Sequence, residues 1–390
     1  MAFDFATPVE RRHPNGGYAS QKWHRYEAEV LPLWVADMDF RSPPAVVDAL
    51  KARVMHGVYG YGEVPATLTD TLCQWSAHHY DWPIEADWQL WLPGAVPALH
   101  FAAMALTQPG EGVLTIAPIY PPFLAVAERT ERLAQQAMLA EPTVAGEPWQ
   151  LDIDALEAAI TPQTRLLLWC HPHNPTGRVW REEELSQLAA LIERHDLWVV
   201  SDELHCDLLL DRGARHRPLA AMFPELAKRI ITLWAPSKTF NLAGLTSACA
   251  IIPDAALRKR FAAATKGFLP DGNVLGLVAA EAAYRDGEPW RQALLEVLRE
   301  HRASLEARVA LWPGVALSPP ASTYLAWLDM RQAGLGESPA KSLLEQAGVA
   351  LSDGAAFGSP GFVRLNFGTT ASQLEAALVR MDRLLKPDPS

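Results

Sequence analysis

Three short apolar runs, each followed closely by polar residues, constrain the fold of this chain more than any other feature. The runs cover residues 166–169, 197–200 and 230–234, and their composition is typical of buried strands. The carboxyl ends of parallel strands meet at one edge of an α/β sheet, and ligands bind in the crevice at that edge. The polar residues that follow the three runs are therefore expected to line a single crevice.

The three runs are part of a longer alternation of strand-like and helix-like patterns between about residues 88 and 253. Strand-like runs at 89–92 and 112–116 lead into turn or helix signals, and an acidic helix start lies at 181–185. This alternation predicts βαβ units with right-handed crossovers. We therefore expect an α/β fold with a large domain whose mostly parallel central sheet lies between helices.

The pattern changes after about residue 279. The later elements are a long charged helix, two short strands and a closing helix, at residues 290–309, 324–328, 362–367 and 372–385. They predict a smaller α+β domain. The residues before Val46 are rich in proline, tryptophan and polar side chains, so they are expected to pack on the small domain or on a partner subunit. The predicted parts are an N-terminal segment at residues 1–45, a large domain at residues 46–284 and a C-terminal small domain at residues 285–390.

In this division the large domain, residues 46–284, carries the predicted parallel sheet and the crevice at its edge. The N-terminal segment, residues 1–45, packs on the C-terminal small domain, residues 285–390, or on a partner subunit. With 390 residues, 49% of them hydrophobic, the chain is long enough for one large core and a smaller satellite core.

Charge and cysteine content limit the class of protein. The net charge is −11, and the 34 basic residues are dispersed, which argues against nucleic acid or an anionic membrane surface as the main partner. The N-terminus lacks the pattern of a signal peptide, and no apolar stretch approaches the ~20 residues of a membrane span. The four cysteines show no CxxC spacing and are expected to be reduced. These features predict a cytoplasmic enzyme that acts on a small molecule.

An amide, a carboxylate and an amine follow the three strand-like runs, at Asn174, Asp202 and Lys238. In one crevice these groups suit pyridoxal 5′-phosphate (PLP), whose aldehyde binds a lysine amine. A desolvated Lys238 would be partly unprotonated and therefore reactive, and Asp202 would keep the ring nitrogen protonated. The sequence therefore predicts a PLP site in which Lys238 and Asp202 are catalytic.

Further residues match the remaining parts of this cofactor. Asn174 and a residue at or near His205 would donate hydrogen bonds to the 3-oxygen of the ring. The segment Gly94-Ala95-Val96 follows a strand-like run and would offer backbone N–H groups to the phosphate, to which Ser237 would add a hydroxyl. Tyr120, the third candidate catalytic residue, would place an aromatic face over the ring.

Four motifs together resemble the fold-type I PLP enzymes of the class I/II aminotransferase superfamily. They are Asn174-Pro175-Thr176-Gly177, Ser201-Asp202-Glu203, Ser237-Lys238 and Arg364-Leu365-Asn366-Phe367-Gly368, in the order and spacing of that superfamily. A narrower resemblance is to the bacterial C–S β-lyases, the cystathionine β-lyases built on the aminotransferase fold. It rests on residues 33–40, 57–61, 202–205 and 237–244.

The narrower resemblance implies an activity and further site residues. The activity is the elimination of cystathionine or a related cysteine thioether to pyruvate, ammonia and a thiol. An aminotransferase is the alternative, because both reactions share their first steps. Arg364 and the backbone of Val35 and Ala36 would hold the α-carboxylate of the amino-acid substrate. Tyr61 would reach the phosphate of the neighbouring subunit in a homodimer.

The sequence departs from the common aminotransferase pattern at three positions. His205 stands where many aminotransferases have a tyrosine that bonds the ring 3-oxygen, and Thr246 stands where aspartate aminotransferases have an arginine for the phosphate. Ala235 stands where many relatives have a phosphate-binding serine. The first two departures fit the lyase branch, and the third favours Ser237 as the phosphate ligand.

Other interpretations stay open. Asp202 is also typical of a helix cap, Tyr61 and Tyr120 of an interface or core, and His205 of a buried histidine. A metal-dependent hydrolase is one alternative, and its candidate ligands are His171, His173, Asp202, Glu203, His205 and Asp207. The spacing of these residues matches no established ligand pattern. A non-catalytic binding protein of the same fold is the third alternative. Lys238 and Arg364 favour the PLP enzyme, with no metal, because the hydrolase would leave both without a role.

Overall fold

The computed structural model describes residues 3–12, 20–270 and 272–386. The ends of the predicted N-terminal segment and small domain, residues 1 and 390, lie outside this range. In the described residues the α-helices are α1 (Gln21–His24), α2 (Pro44–His56), α3 (Ala66–Tyr80), α4 (Ala95–Leu106), α5 (Pro121–Arg129), α6 (Ile153–Ala158), α7 (Glu182–Arg194), α8 (Leu219–Met222), α9 (Pro236–Thr239), α10 (Ala255–Thr265), α11 (Val274–Asp286), α12 (Glu288–Val309), α13 (Pro339–Ser342) and α14 (Ala371–Leu385).

The strands of the described residues are β1 (Leu31–Pro32), β2 (Gln89–Leu92), β3 (Gly112–Ala117), β4 (Leu133–Met138), β5 (Thr164–Cys170), β6 (Trp198–Asp202), β7 (Ile230–Trp234), β8 (Ala248–Ile251), β9 (Ala316–Ser318), β10 (Leu325–Asp329), β11 (Val349–Ala350), β12 (Ser352–Asp353) and β13 (Phe362–Asn366). Short 3₁₀ helices lie at Ala86–Trp88, Pro224–Arg229, Ala243–Leu245 and Gly354–Phe357, and a π-helical turn at Leu343–Ala347.

The large sheet has the strand order β2-β8-β7-β6-β5-β3-β4. Strands β4, β3, β5, β6 and β7 pair in parallel, and β8 is antiparallel to both of its neighbours, β7 and β2. Along β5, Leu167 and Trp169 join the hydrophobic core on one face, while Leu166, Leu168 and Cys170 join the core on the other. Both faces are therefore buried, as expected for a parallel sheet covered by helices. The predicted α/β fold with a mostly parallel sheet is confirmed.

The reversed direction of β8 places a whole connection at one edge of the sheet. Strand β7 ends at Trp234, and the chain returns as β8 after residues 235–247, which include α9. Because β7 ends and β8 begins at the same edge, this connection lies at the carboxyl edge of the parallel strands. Lys238 lies within it.

The C-terminal part forms a second, antiparallel sheet with the order β12-β13-β10-β9. Trp327 of β10 pairs with Arg364 of β13 in its register. Near the N-terminus, β1 pairs in parallel with β11. The division at residues 45 and 284 stays a prediction, and the β1–β11 pairing supports the proposal that the N-terminal segment belongs with the small domain.

Of the helices in the described ranges, none combines the length and the apolar character that crossing a membrane requires.

Candidate active site

A cavity of about 230 Å³ lies at the carboxyl edge of the large sheet. Residues that follow β2, β3, β5, β6 and β7 line it, as do residues that precede β8. The lining includes most of the site residues predicted from the sequence: Ala36, Gly94, Ala95, Val96, Tyr120, Asn174, Asp202, His205, Ser237 and Lys238. The structure thus brings the amine, the carboxylate and the amide into one cavity.

Lys238 presents its amine inside this cavity. Its Nζ donates a hydrogen bond to the carbonyl oxygen of Ala36 at 2.8 Å. Burial, helped by the positive charge of Arg364, lowers the pKa of Lys238 to about 8, although Asp37 and Asp202 act in the opposite direction. With that pKa, roughly a tenth of the amines are neutral at pH 7, which is a reactive fraction that an exposed lysine lacks.

Asp202 is the last residue of β6 and is buried. Its Oδ1 accepts a hydrogen bond from the backbone N–H of Leu204 at 3.1 Å, which is the local turn contact expected of an aspartate after a strand. Burial raises the pKa of Asp202 to about 6, while this hydrogen bond and the charge of Lys238 oppose the rise. The carboxylate is therefore mostly ionised at pH 7 and lies next to the cavity.

Arg364, on β13 of the small sheet, is 3% exposed. It donates to Asn174 Oδ1 at 2.9 Å and to the carbonyl oxygen of Trp34 at 3.2 Å, and it lies over the ring of Phe357. In the described part of the chain, its Nε has no hydrogen-bond partner and no carboxylate lies within ion-pair distance. Burial lowers the pKa of Arg364 to about 10, so it stays charged at pH 7. A buried cation whose hydrogen-bond partners are neutral has the chemistry to bind an anion.

His205, which follows β6, and Tyr120, which follows β3, also line the cavity. Burial, followed by the charges of Lys238 and Arg364, lowers the pKa of His205 to about 3, so its imidazole is neutral at pH 7. Its Nδ1 is buried without a hydrogen-bond partner among the described residues. Burial raises the pKa of Tyr120, which keeps its phenol protonated. Both are neutral groups that can donate a hydrogen bond.

One part of the cavity lining, which we call its polar end, consists of small polar groups. Helix α4 begins at Ala95 after Gly94, so the backbone N–H groups of its first turn point toward the cavity. Ser237 of α9 lies there as predicted. This end, with free N–H groups and hydroxyls, suits a phosphate.

Two further hydroxyl residues of this end, Thr246 and Ser247, were not predicted as ligands. Both line the cavity just before β8, and the buried Oγ of Ser247 has no hydrogen-bond partner in the described residues. The family resemblance had marked the position of Thr246, where aspartate aminotransferases have an arginine for the phosphate. For Ser247 the only signal in the sequence was a Thr-Ser pair before an apolar run. It was insufficient, because a strand's direction decides at which edge of the sheet its first residue lies.

Three predicted residues are not part of the cavity lining, namely Arg364, Tyr61 and Val35. Arg364 contacts the lining residue Asn174. Tyr61 is 99% exposed and does not line the cavity of its own chain. Val35 lies beside the site, where its carbonyl oxygen accepts a hydrogen bond from Asn366 Nδ2 at 2.7 Å. The roles of all three residues stay predictions.

The residues of the alternative metal site are engaged in other contacts. His171 packs on the ring of His216, and Glu203 lies 2.8 Å from His216 Nε2. Asp207 accepts from Thr239 Oγ1 at 2.8 Å and from Trp75 Nε1 at 3.1 Å. Within residues 3–12, 20–270 and 272–386, no group of three or more histidine, cysteine, aspartate or glutamate side chains is arranged to hold a metal ion.

The sequence pattern of the family described as aminotransferase class I and II matches residues 28–381. The chain belongs to this family. Cystathionine beta-lyase PatB of Bacillus subtilis is 35% identical over 387 residues, which cover 96% of this chain and 99% of PatB. These matches confirm the resemblance seen in the motifs.

Solved structures agree with the sequence matches. A protein named OvoB has a TM-score of 0.93 and 40% identity, with coverage of 99% of this chain and 100% of that chain. Cystalysin of Treponema denticola, whose crystal structure contains a pyridoxal 5′-phosphate cofactor, has a TM-score of 0.91 and 31% identity, with coverage of 98% and 99%.

Proposed function

We propose that this protein is a PLP-dependent C–S β-lyase whose substrate is cystathionine or a related cysteine thioether. The reaction adds water and releases pyruvate, ammonia and a thiol. The observation that carries the proposal is the single cavity that holds the Lys238 amine and the Asp202 carboxylate beside the buried Arg364 guanidinium. The similarity to PatB supports carbon–sulfur cleavage as the reaction.

The lining residues fit PLP. Lys238 would bind its aldehyde, Asp202 its ring nitrogen, and Asn174 and His205 its 3-oxygen. Its phosphate would lie among the first N–H groups of α4 and the hydroxyls of Ser237, Thr246 and Ser247. The unpartnered Oγ of Ser247 is a donor that such a ligand would satisfy, and so is Nδ1 of His205 in the tautomer that carries the proton there. When bound, PLP withdraws electrons from the α-carbon of an attached amino acid, which allows the α-proton and then the β-thiolate to leave.

Lys238 is placed to move a proton at its Nζ. The free amine of Lys238 would accept the α-proton of the substrate, and its lowered pKa favours the neutral form that can do so. The buried carboxylate of Asp202, mostly ionised at pH 7, would hold the ring nitrogen of the cofactor in its protonated form. The neutral side chain of Tyr120 would pack against the ring and help to exclude water.

Arg364 would bind the substrate α-carboxylate. A guanidinium can hold a carboxylate through two parallel hydrogen bonds, which gives orientation as well as affinity. Its donors to Asn174 and Trp34 would turn to the substrate, with the nearby backbone of Val35 and Ala36 completing the site.

The active form is proposed to be a homodimer in which Tyr61 reaches the phosphate of the neighbouring subunit. The exposure of Tyr61 supports this proposal, because Tyr61 is 99% exposed and belongs to a run of exposed large apolar side chains between residues 54 and 64. Such a cluster is typical of a protein contact. We also propose that the enzyme acts in the cytoplasm, where its four free cysteines would remain reduced.

The test of the function is a pair of assays on the purified PLP-loaded protein. We expect rapid release of pyruvate and thiol from L-cystathionine, and slow formation of new amino acids from a panel of 2-oxo acids. If amino transfer clearly outpaces pyruvate release, the lyase proposal is wrong and the protein is an aminotransferase.

Replacing Arg364 with alanine should lower kcat/KM for the thioether by about 10²-fold or more, because the substrate loses its charged anchor and its orientation. PLP binding, measured by absorbance titration, should change little. Arg383 in the last turn of α14 provides a matched control, and Arg383→Ala should leave kcat/KM unchanged. Loss of PLP binding with unchanged substrate affinity would instead give Arg364 a structural role.

A further inference from the structure

Residues 34–40 connect β1 to α2 without helix or strand and pass beside the cavity. We call these residues the strap. Its backbone contacts both charged groups of the proposed site. Ala36 O accepts from Lys238 Nζ at 2.8 Å and from the Tyr324 hydroxyl at 3.0 Å, and Trp34 O accepts from Arg364 at 3.2 Å. The strap therefore supplies a hydrogen-bond acceptor to Lys238 and another to Arg364, so its position affects both side chains.

Asn241, three residues after Lys238, holds one part of the strap. Its Oδ1 accepts from the backbone N–H of Met38 at 2.9 Å, and its Nδ2 donates to Met38 O at 2.9 Å and to Phe40 O at 2.8 Å. Its φ of 58° lies in the left-handed region, which asparagine tolerates better than most residues. One side chain thus satisfies three backbone groups of the strap.

Asn366, two residues after Arg364, holds another part. Its Nδ2 donates to Val35 O at 2.7 Å and to Asp37 O at 2.6 Å, while its Oδ1 accepts from Gly368 N at 2.7 Å. Asn366 is fully buried, so water cannot replace these hydrogen bonds without a rearrangement. Each asparagine lies close in sequence to one of the two charged residues, and both bind the same strap.

We propose that Asn241 and Asn366 are positioning residues that set, through the strap, the separation between the Lys238 amine and the Arg364 guanidinium. The proposal rests on the proposed function, because that separation has to match the α-carbon and the α-carboxylate of one amino acid. A small error in the placement of either group weakens two-point binding far more than it weakens either contact alone. The strap therefore determines how well the site distinguishes an α-amino acid from a simple amine.

The test compares L-alanine with ethylamine, which lacks the carboxylate, as ligands of the PLP-loaded protein. Dissociation constants are measured from the change in PLP absorbance, so no turnover is needed. For the variants Asn241→Gly, Asn241→Asp and Asn366→Ala, we expect the preference for L-alanine over ethylamine to fall by about tenfold or more. The affinity for PLP should stay within about threefold of the wild type.

The choice of variants separates the loss of the hydrogen bonds to the strap from backbone strain and from general destabilisation of the protein. Glycine and aspartate both tolerate the left-handed backbone of residue 241, and aspartate keeps the acceptor for Met38 N while it removes the two donors. Asp254→Ala is the control for general destabilisation, because it removes the cap of the remote helix α10, where Oδ1 accepts from Leu257 N. This control should lower the melting temperature and leave the ligand preference unchanged.

An unchanged preference in Asn241→Gly and Asn366→Ala would overturn the proposal, and so would equal losses of affinity for both ligands and PLP. Failure of the proposed function has a different signature. In that case the wild type releases no pyruvate from thioethers. It still prefers L-alanine over ethylamine, and the variants still lose that preference.

Discussion

Lys238→Ala should lower pyruvate release by about 10⁴-fold or more, because the change removes both the amine that binds the cofactor and the base that accepts the α-proton. Lys259, an exposed residue of α10, provides the matched control, and Lys259→Ala should retain full activity. The independent measurement is borohydride reduction of the PLP-loaded wild type followed by peptide mapping. A label on any other lysine would contradict the assignment of the whole site.

The lowered pKa of Lys238 adds a dependence on pH to this prediction. Only the neutral amine reacts with an aldehyde, and the pKa of about 8 means that protonation dominates below that pH. The rate of PLP uptake by the cofactor-free protein should therefore rise with pH, about tenfold per unit, and level off above about pH 8. Stopped-flow absorbance measures this rate, and a rise that continues to pH 10 would indicate an exposed lysine instead.

Asp202→Asn and Asp202→Ala should each lower kcat by about 10²-fold or more, because both remove the negative charge that is proposed to stabilise the protonated ring nitrogen. Asparagine has nearly the shape of aspartate and can still accept from Leu204 N, so it separates the charge from the turn contact. Asp196→Asn, an exposed carboxylate before β6, serves as the control. Near-normal turnover of Asp202→Ala would mean that another group stabilises the ring nitrogen.

The elements with a strong local pattern were predicted closely. The run at 230–234 coincides with β7, and the long charged helix predicted at 290–309 is α12, which begins two residues earlier at Glu288. Each of these segments carries its signal within itself, as a continuous apolar run or a helical repeat. The antiparallel direction of β8 was not predicted, because its four residues read the same in either direction of pairing.

The sequence by itself determined which polar residues the parallel strands bring to the cavity. Asp202 ends one of three strands that run in the same direction, and Asn174 and Lys238 follow the other two, so strand order along the chain is enough to bring their side chains to one edge. The prediction of their chemistry needed only the residue types, namely an amide, a carboxylate and an amine.

Only the tertiary structure decided which distant segments join them. Arg364 reaches Asn174 from the other sheet, across 190 positions of the chain, and Asn241 holds Met38 across 203. Ser247 faces the cavity because β8 is reversed. These contacts depend on how two sheets and an irregular strap pack together, and packing over such separations leaves no periodic pattern in the residues that take part.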